Sequence, residues 1–232
     1  MASTPTLIVF DCDGTLADSQ HLITEAMQFA FASAGLAAPE RSAIWRTIGL
    51  SMPEAIADLA PDQCQAGRTE LIRAYRERCM DLRQNVAGRE PMFLGAAPLL
   101  SNLSAREDVI LGLATGKSRR GVARFIEQNA LDGVFTTIQT ADDAPSKPNP
   151  AMLHQAMKET GTSPGAAIMV GDTSHDMLMA ASANVASIGV TWGYHTAAEL
   201  QRSGARMIVR SFQALARVLD GREVAPNCEA MA

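Results

Sequence analysis

Residues 6–18 read TLIVFDCDGTLAD and combine a short apolar run with two closely spaced acids. The run at 7–10 is rich in β-branched and aromatic residues, which is typical of a strand buried on both faces of a parallel sheet. Asp11 and Asp13 follow directly, and side chains two residues apart in an extended segment point the same way. Two carboxylates therefore share a small volume at the carboxyl end of this strand, where open parallel sheets hold their ligands.

The acidic pair alone permits two interpretations. Like charges this close repel unless one is protonated or a cation lies between them, which favours a cation site. Asp-Gly is also a common turn dipeptide, so an ordinary acidic turn fits as well. A calcium loop of the EF-hand type needs more oxygen ligands, and Asp18, Ser19 and Gln20 do not supply them.

The composition indicates a globular protein with an ordinary core. A chain of 232 residues, 47% of them apolar, has room for one large domain or two small ones. The net charge of −5 argues against a protein that binds nucleic acid by neutralising phosphates. We therefore expect no nucleic-acid partner.

The cysteines and the N-terminus bear on the compartment. Cysteines at 12, 64, 79 and 228 form no C-x-x-C pair and match no zinc spacing, which favours free thiols in a reducing compartment. Cys12 is expected to point away from the two acids and into the core. Neither a signal peptide nor a membrane-spanning apolar run is evident. We expect a cytoplasmic protein without a membrane partner.

Hydrophobic periodicity divides the chain into a helical segment and an alternating one. Residues 17–90 show no clear strand, and helices are predicted there at 18–36, 39–48, 52–60 and 62–84. From residue 95 onwards strands and helices alternate, with strands predicted at 109–114, 134–139, 166–170, 186–190 and 206–209. This alternation implies βαβ units and a parallel sheet covered by helices on both faces.

The predicted fold class is therefore α/β, with a Rossmann-like, doubly wound parallel sheet. The helical segment leaves the sheet after its first strand and returns through a loop at 85–95. The predicted domains are an α/β core formed by 1–16 and 91–232, and a helical insert formed by 17–90. The last dozen residues are expected to fray.

Polar residues also follow the second and third predicted strands. Thr115 and Gly116 open a helix, where a hydroxyl and backbone N–H groups suit an oxyanion; the alternative is a plain N-cap threonine. Lys147 lies in a loop that Pro148 and Pro150 stiffen. It is either solvated, as most loop lysines are, or held as a counter-charge for phosphate.

The fourth strand ends in acids again. Asp172 follows this strand as Asp11 follows the first, and Asp176 lies one helical turn further on. Acids at the start of a helix also serve as caps. His175, between them, is interpreted as a surface or packing residue. Each signal is weak alone, but four polar strand ends meet at the same edge of a parallel sheet.

These residues resemble the four motifs of the haloacid dehalogenase-like hydrolase superfamily, which are Asp11-x-Asp13-Gly14-Thr15, Thr115-Gly116, Lys147-Pro148, and Gly171-Asp172 with Asp176. The helical insert resembles the superfamily's cap of the first type. The resemblance covers about 5–220 and is strongest to the phosphoglycolate phosphatase-like group.

The resemblance implies roles for the acids. Asp11 is then the nucleophile that forms an aspartyl-phosphate, and Asp13 is the acid and base that serves the leaving group and the water. Mg²⁺ is then the cofactor, bound by the Asp11 carboxylate, the Asp13 backbone carbonyl and Asp172.

It implies roles for the other motifs too. Thr115 and the Gly116 N–H hold phosphoryl oxygens, and Lys147 neutralises the remaining charge. Thr115 and Lys147 thus count as catalytic, and Asp176 supports the lysine or a metal-bound water. Arg46 is a possible partner of a substrate carboxylate, and is equally well a solvated helix residue.

The implied function is Mg²⁺-dependent hydrolysis of a small phosphorylated metabolite similar to phosphoglycolate. Two alternatives remain: a β-phosphoglucomutase-type phosphotransferase, and a regulatory protein that binds Mg²⁺ and phosphate without turnover. A phosphonoacetaldehyde hydrolase needs a cap lysine, and 17–90 has none. The sequence decides neither between monomer and homodimer nor whether Trp192, Tyr194 and His195 touch substrate.

Overall fold

The computed structural model describes residues 5–83 and 90–221. Its strands are Thr6–Phe10 (β1), Val109–Ala114 (β2), Thr137–Gln139 (β3), Ala167–Gly171 (β4), Ala186–Val190 (β5) and Met207–Val209 (β6). They form a parallel six-stranded sheet in the order β3-β2-β1-β4-β5-β6. β1 therefore lies in the middle, between β2 and β4, and its acidic end lies at the centre of the sheet edge.

Ten α-helices are found in the described part of the chain: Gln20–Ser33 (α1), Arg41–Thr47 (α2), Met52–Leu59 (α3), Gln65–Arg83 (α4), Ala96–Ser104 (α5), Arg119–Gln128 (α6), Ala151–Thr160 (α7), Ser174–Ser182 (α8), Ala197–Arg202 (α9) and Phe212–Leu219 (α10). None of the helices in this part is long and apolar enough to cross a membrane.

The two faces of the sheet carry separate hydrophobic clusters. Ile8 and Phe10 of β1 pack with residues of α5, α6 and α10 on one face. Leu7 and Val9 pack with residues of α7 and α8 on the other. Because successive side chains of a strand point to opposite faces, an unbroken apolar run suits this double burial. The predicted doubly wound α/β fold is confirmed.

The helical insert has a core of its own. Met27 and Phe31 of α1 pack with Ile44 of α2, Ile56 of α3 and Leu71 of α4. The four predicted helices are confirmed, and their ends differ by up to three residues from the predicted ones. The division into a core domain and an insert domain at 17 and 90 stays a prediction.

The two chain segments that join the insert to the sheet run side by side. The Asp18 N–H donates to the Pro91 carbonyl at 2.8 Å, and the Phe93 N–H donates to the Leu16 carbonyl at 2.9 Å. Residues 85–89 of the predicted return loop lie outside the described residues, as do most of the predicted frayed end and Cys228. Within the described ranges Cys12, Cys64 and Cys79 form no disulfide, and Cys12 packs in the core as expected.

One local prediction was wrong, and one helix was not predicted. The third strand begins at Thr137 rather than at 134, because the Val134 N–H closes a turn onto the Leu131 carbonyl with Gly133 at φ 73°. Helix α9 was not predicted, although its capping box is present in the sequence. Thr196 caps the helix and Glu199 bonds back to the Thr196 N–H.

A core substitution tests this packing. Phe125→Ala on α6 removes a fully buried ring from the larger cluster and should lower the free energy of unfolding by about 3–5 kcal/mol. Urea denaturation measures the change. The matched control is Phe29→Ala on α1, because the Phe29 side chain is 44% exposed and should cost roughly 1 kcal/mol or less. Equal losses at the two positions would contradict the assignment of the core.

Candidate active site

Asp11 and Asp13 begin the site at the end of β1. The Asp11 N–H extends the sheet ladder by donating to the Val170 carbonyl at 2.9 Å. Gly14 then turns the backbone at φ 87°. A Cβ at Gly14 would collide with the Asp172 carboxylate and the Tyr194 ring, so only glycine fits this turn.

A buried lysine links the first and last motifs. Lys147 Nζ lies 2.7 Å from Asp11 Oδ1 and 2.6 Å from Asp176 Oδ1, and all three side chains are at most 1% exposed. Burial opposes the charged lysine, but the two carboxylates outweigh it and raise the Lys147 pKa. Burial also raises the pKa of Asp11 to about 7, against the opposing effect of Lys147. Lys147 is therefore not a solvated loop residue.

Asp172 is held rigidly beside this pair. Its Oδ1 accepts from the Thr15 hydroxyl at 2.8 Å, and its Oδ2 accepts from the Tyr194 N–H at 2.9 Å. Gly193 leaves the room, since a Cβ there would collide with the carboxylate. Burial, with the charges of Asp11 and Asp176, raises the Asp172 pKa well above its ordinary value.

The three carboxylates form a cluster suited to a divalent cation. Asp11, Asp172 and Asp176 each offer an oxygen, and these oxygens lie within 4.8 Å of one another. Asp11 Oδ2 is buried and has no hydrogen-bond partner among the residues that the structure describes. Lys147 offsets only part of the negative charge, and oxygen ligands of this type are those that hard divalent cations prefer. The residues therefore fit such an ion.

Asp176 serves both functions that the sequence left open. Its Oδ2 accepts from the Thr173 N–H at 3.0 Å and from the Thr173 hydroxyl at 2.7 Å, and so completes the capping box of α8. Its Oδ1 binds Lys147 at the same time. One carboxylate thus orients the helix and the buried lysine.

Thr115 is not a helix cap. The N-cap of α6 is Ser118, whose hydroxyl accepts from the Gly121 N–H at 3.2 Å. Thr115 is fully buried at the end of β2, and Gly116 lies directly under the insert, because a Cβ there would collide with the Leu50 carbonyl. The Ser51 N–H also donates to the Ser146 hydroxyl at 2.8 Å. The segment 49–51 therefore rests on two of the motifs.

Asp13 takes part in a network of ion pairs and hydrogen bonds that the motifs did not predict. Lys117 Nζ lies 2.7 Å from Asp13 Oδ1 and 3.1 Å from Glu90 Oε1. The Ser19 hydroxyl also donates to Asp13 Oδ1 and lies 3.3 Å from the Tyr194 hydroxyl. Ser19 occupies the N-cap position of α1 but makes no cap bond with its side chain. The scarcity of lysine, with only three in the chain, was the one signal for Lys117.

A cavity of about 640 Å³ opens between the insert and the sheet edge, and Asp13, Gly116 and Lys117 line it. The insert contributes mainly apolar side chains, among them Ile23, Met27, Ile48, Met52, Tyr75 and Met80. Three arginines line it as well: Arg76, Arg120 and Arg124.

Comparison with known proteins places this chain in a family. The family profile described as haloacid dehalogenase-like hydrolase matches residues 8–190. The chain belongs to the haloacid dehalogenase-like hydrolase family. A protein of Dickeya dadantii named as a probable phosphatase, IndB, is 34% identical over 210 residues, which cover 89% of this chain and 90% of that protein.

Two further proteins are similar to this chain in sequence or in structure. Phosphoglycolate phosphatase 1 of Pseudomonas aeruginosa is 28% identical over 222 residues, which cover 91% of this chain and 78% of that protein. The crystal structure of a hydrolase from Pseudomonas syringae superposes with a TM-score of 0.83 at 25% identity, covering 93% of this chain and 98% of that one. As in the family's first-type cap proteins, the helical insert follows the first strand; we call it the cap below.

The structure brings the predicted motif residues together, but not Arg46. This arginine is exposed on α2, outside the residues that line the cavity, and its carbonyl lies 3.0 Å from His175 Nε2. Two of the three undecided residues hold their neighbours in place. Trp192 donates to the Thr15 carbonyl at 3.0 Å, and His195 Nδ1 accepts from the Ser174 N–H at 3.0 Å.

A charge-neutral substitution tests the cation site. Divalent cation should raise the Tm of the protein at pH 8, and Asp172→Asn should abolish most of this rise, since it removes one buried ligand. The same change should leave the metal-free protein at least as stable, because it relieves repulsion with Asp11 and Asp176. Differential scanning fluorimetry measures both. Asp58→Asn, on the exposed side of α3, is the control that should keep the full rise.

Proposed function

We propose that this phosphatase hydrolyses small phosphorylated metabolites, with Mg²⁺ as cofactor and through an aspartyl-phosphate on Asp11. The observation that carries the proposal is the state of the Asp11 carboxylate. One oxygen is fixed by Lys147 at 2.7 Å, and the other is buried without a hydrogen-bond partner in the described part of the chain. An oriented carboxylate with one uncommitted oxygen is what a nucleophile requires.

The carboxylates of Asp11 and Asp172, with the Asp13 backbone carbonyl, are the proposed ligands of Mg²⁺. The bound ion reduces the repulsion between the substrate phosphate and the Asp11 carboxylate. The hard oxygen donors and the excess negative charge of the cluster support this choice.

The chain's own residues supply the remaining chemistry. An Asp11 oxygen attacks phosphorus while the bond from phosphorus to the leaving oxygen breaks, and Asp13 gives its proton to that oxygen. Asp13 then takes a proton from the water that hydrolyses the aspartyl-phosphate. Thr115, the Gly116 N–H and Lys147 hold the phosphoryl oxygens in both steps.

Residues 17–90 are proposed to act as a cap domain over a core formed by 1–16 and 91–232. The contacts of segment 49–51 with Gly116 and Ser146 support this, because they cover the phosphate-binding motifs. A closed cap excludes bulk water while the phosphoryl group is on the enzyme. Phosphoglycolate is the first ester to assay, since one relative carries its name.

Removal of the nucleophile is the direct test. Asp11→Asn should reduce phosphate release to background with the fold intact, because the amide cannot form the acyl phosphate. Malachite-green detection of phosphate from a panel of esters, with and without EDTA, measures this. Wild-type turnover that is unaffected by EDTA, or activity that survives in Asp11→Asn, would contradict the proposal. Phosphate release without any sugar bisphosphate also separates a hydrolase from a phosphoglucomutase-type transferase.

Lys117 is a positioning residue in this scheme, since it holds Asp13 and is itself held by Glu90. Lys117→Met should lower kcat for alkyl phosphates about 10- to 100-fold, because Asp13 is no longer oriented toward the leaving oxygen. The loss should be smaller for p-nitrophenyl phosphate, whose leaving group departs without a proton. Lys158→Met, in the last turn of α7, is the matched control. Equal losses for both ester types would point to a merely structural role for Lys117.

A further inference from the structure

We propose that the substrate's leaving group carries a second anionic group, a phosphate or a carboxylate, which binds to three arginines of the cavity wall. These are Arg76, Arg120 and Arg124, called here the basic wall. The inference rests on the proposed phosphatase function and specifies the class of substrate.

Two of the three arginines belong to one face of α6. Arg120, Gly121 and Arg124 all line the cavity, and residues three and four apart share a helix face. Arg119, next to them in sequence, belongs to another face and pairs with Asp143. Lys117, just before the helix, binds Asp13. The two arginines therefore follow Lys117, which binds Asp13, along the wall of the cavity.

The third arginine faces this helix from the cap. Arg76 lies on α4, where the nearby acids Glu70 and Glu77 both bind Arg73 instead, at 2.9 and 2.6 Å. Within the described residues, neither Arg76 nor Arg120 is recorded in an ion pair or hydrogen bond. Cap and core thus each present a guanidinium to the same space.

The acids that line the cavity do not neutralise Arg76 and Arg120. Asp13 and Glu90 both bind Lys117, and Asp142 accepts from the Arg119 N–H at 2.8 Å. Glu54 lies in the first turn of α3, where a helix favours a negative charge. An anion bound between Arg76 and Arg120 would receive charge-assisted hydrogen bonds from both guanidinium groups.

The size of the cavity indicates a longer leaving group than that of phosphoglycolate. Its volume of about 640 Å³ is in the range of pockets that enclose ligands much larger than a two-carbon acid. From Arg120 to Arg124 helix α6 advances about 6 Å at 1.5 Å per residue, in the direction away from Lys117. The second anion should therefore lie further along α6 than the phosphate, with the body of the leaving group against the apolar side chains of the cap.

Three synthetic esters of equal chain length test the inference: 1,6-hexanediol monophosphate, 1,6-hexanediol bisphosphate and 6-phosphonooxyhexanoate. With the wild-type enzyme, one or both esters that carry a second anion should show kcat/KM about 10-fold or more above that of the monophosphate, mainly through KM. Whether the bisphosphate or the carboxylate gains more identifies the preferred anion. p-Nitrophenyl phosphate reports the basal activity.

The variant Arg76→Gln/Arg120→Gln should abolish this preference and change kcat/KM for the monophosphate and for p-nitrophenyl phosphate by less than about twofold. Arg119→Gln is the matched control and should keep the preference, because Arg119 does not line the cavity. Both positions of the double variant are exposed, and thermal unfolding checks that the fold is kept.

The possible failures can be told apart. Equal kcat/KM for the three esters in the wild type overturns the inference alone, and so does a preference that survives in the double variant. Absence of turnover with every ester, p-nitrophenyl phosphate included, overturns the proposed function and the inference with it.

Discussion

The whole site depends on one buried ammonium group between two carboxylates. Lys147 is at most 1% exposed, as are Asp11 and Asp176, so none of these charges is stabilised by water. Breaking a buried pair by removing one partner leaves an uncompensated charge, which costs several kcal/mol, about 3–5. The loop that carries Lys147 is therefore fixed against β1 and α8, and three distant stretches of sequence are held at one point of the sheet edge.

Lys147 compensates only part of the negative charge of the site, and the charge that remains can bind a cation. Three carboxylates share the site with one lysine, and the pKa values of Asp11 and Asp172 are both raised. A divalent cation relieves that excess negative charge, as would any approaching positive group. The fold thus holds the acids in an arrangement that is costly alone and favourable with the ion bound, which is how a site is preorganised for its cofactor.

Much of the fold and of the site was predictable because both follow from local patterns. Apolar runs predicted the strands. Polar residues at the strand ends predicted the candidate site, since parallel strands bring their carboxyl ends to one edge. Helix α9 could be predicted as well, because Thr196 and Glu199 have the spacing of a capping box. The positions of Lys117 and Glu90 were not readable, because their ion pair joins residues 27 apart in sequence whose meeting depends on the path of the cap.

The position of Arg46 shows the same limit, because this residue lies outside those that line the cavity. It was chosen for its position in the cap, whereas the cavity is lined by arginines on α4 and α6 whose orientation is decided by helix packing. Local sequence specifies which residues a helix presents together, but not toward which neighbour that face turns. Substrate-binding residues of an inserted segment are therefore harder to predict than the residues of the sheet edge.

The chain enters and leaves the cap at almost the same place. Residues 16–18 and 91–93 are joined by two backbone hydrogen bonds, directly beside the turn that carries Asp13. Because the two ends of the cap lie this close together, a change within the cap does not require a change in the register of the strands. The length and sequence of this segment can therefore vary with little effect on the position of the acids at the end of β1.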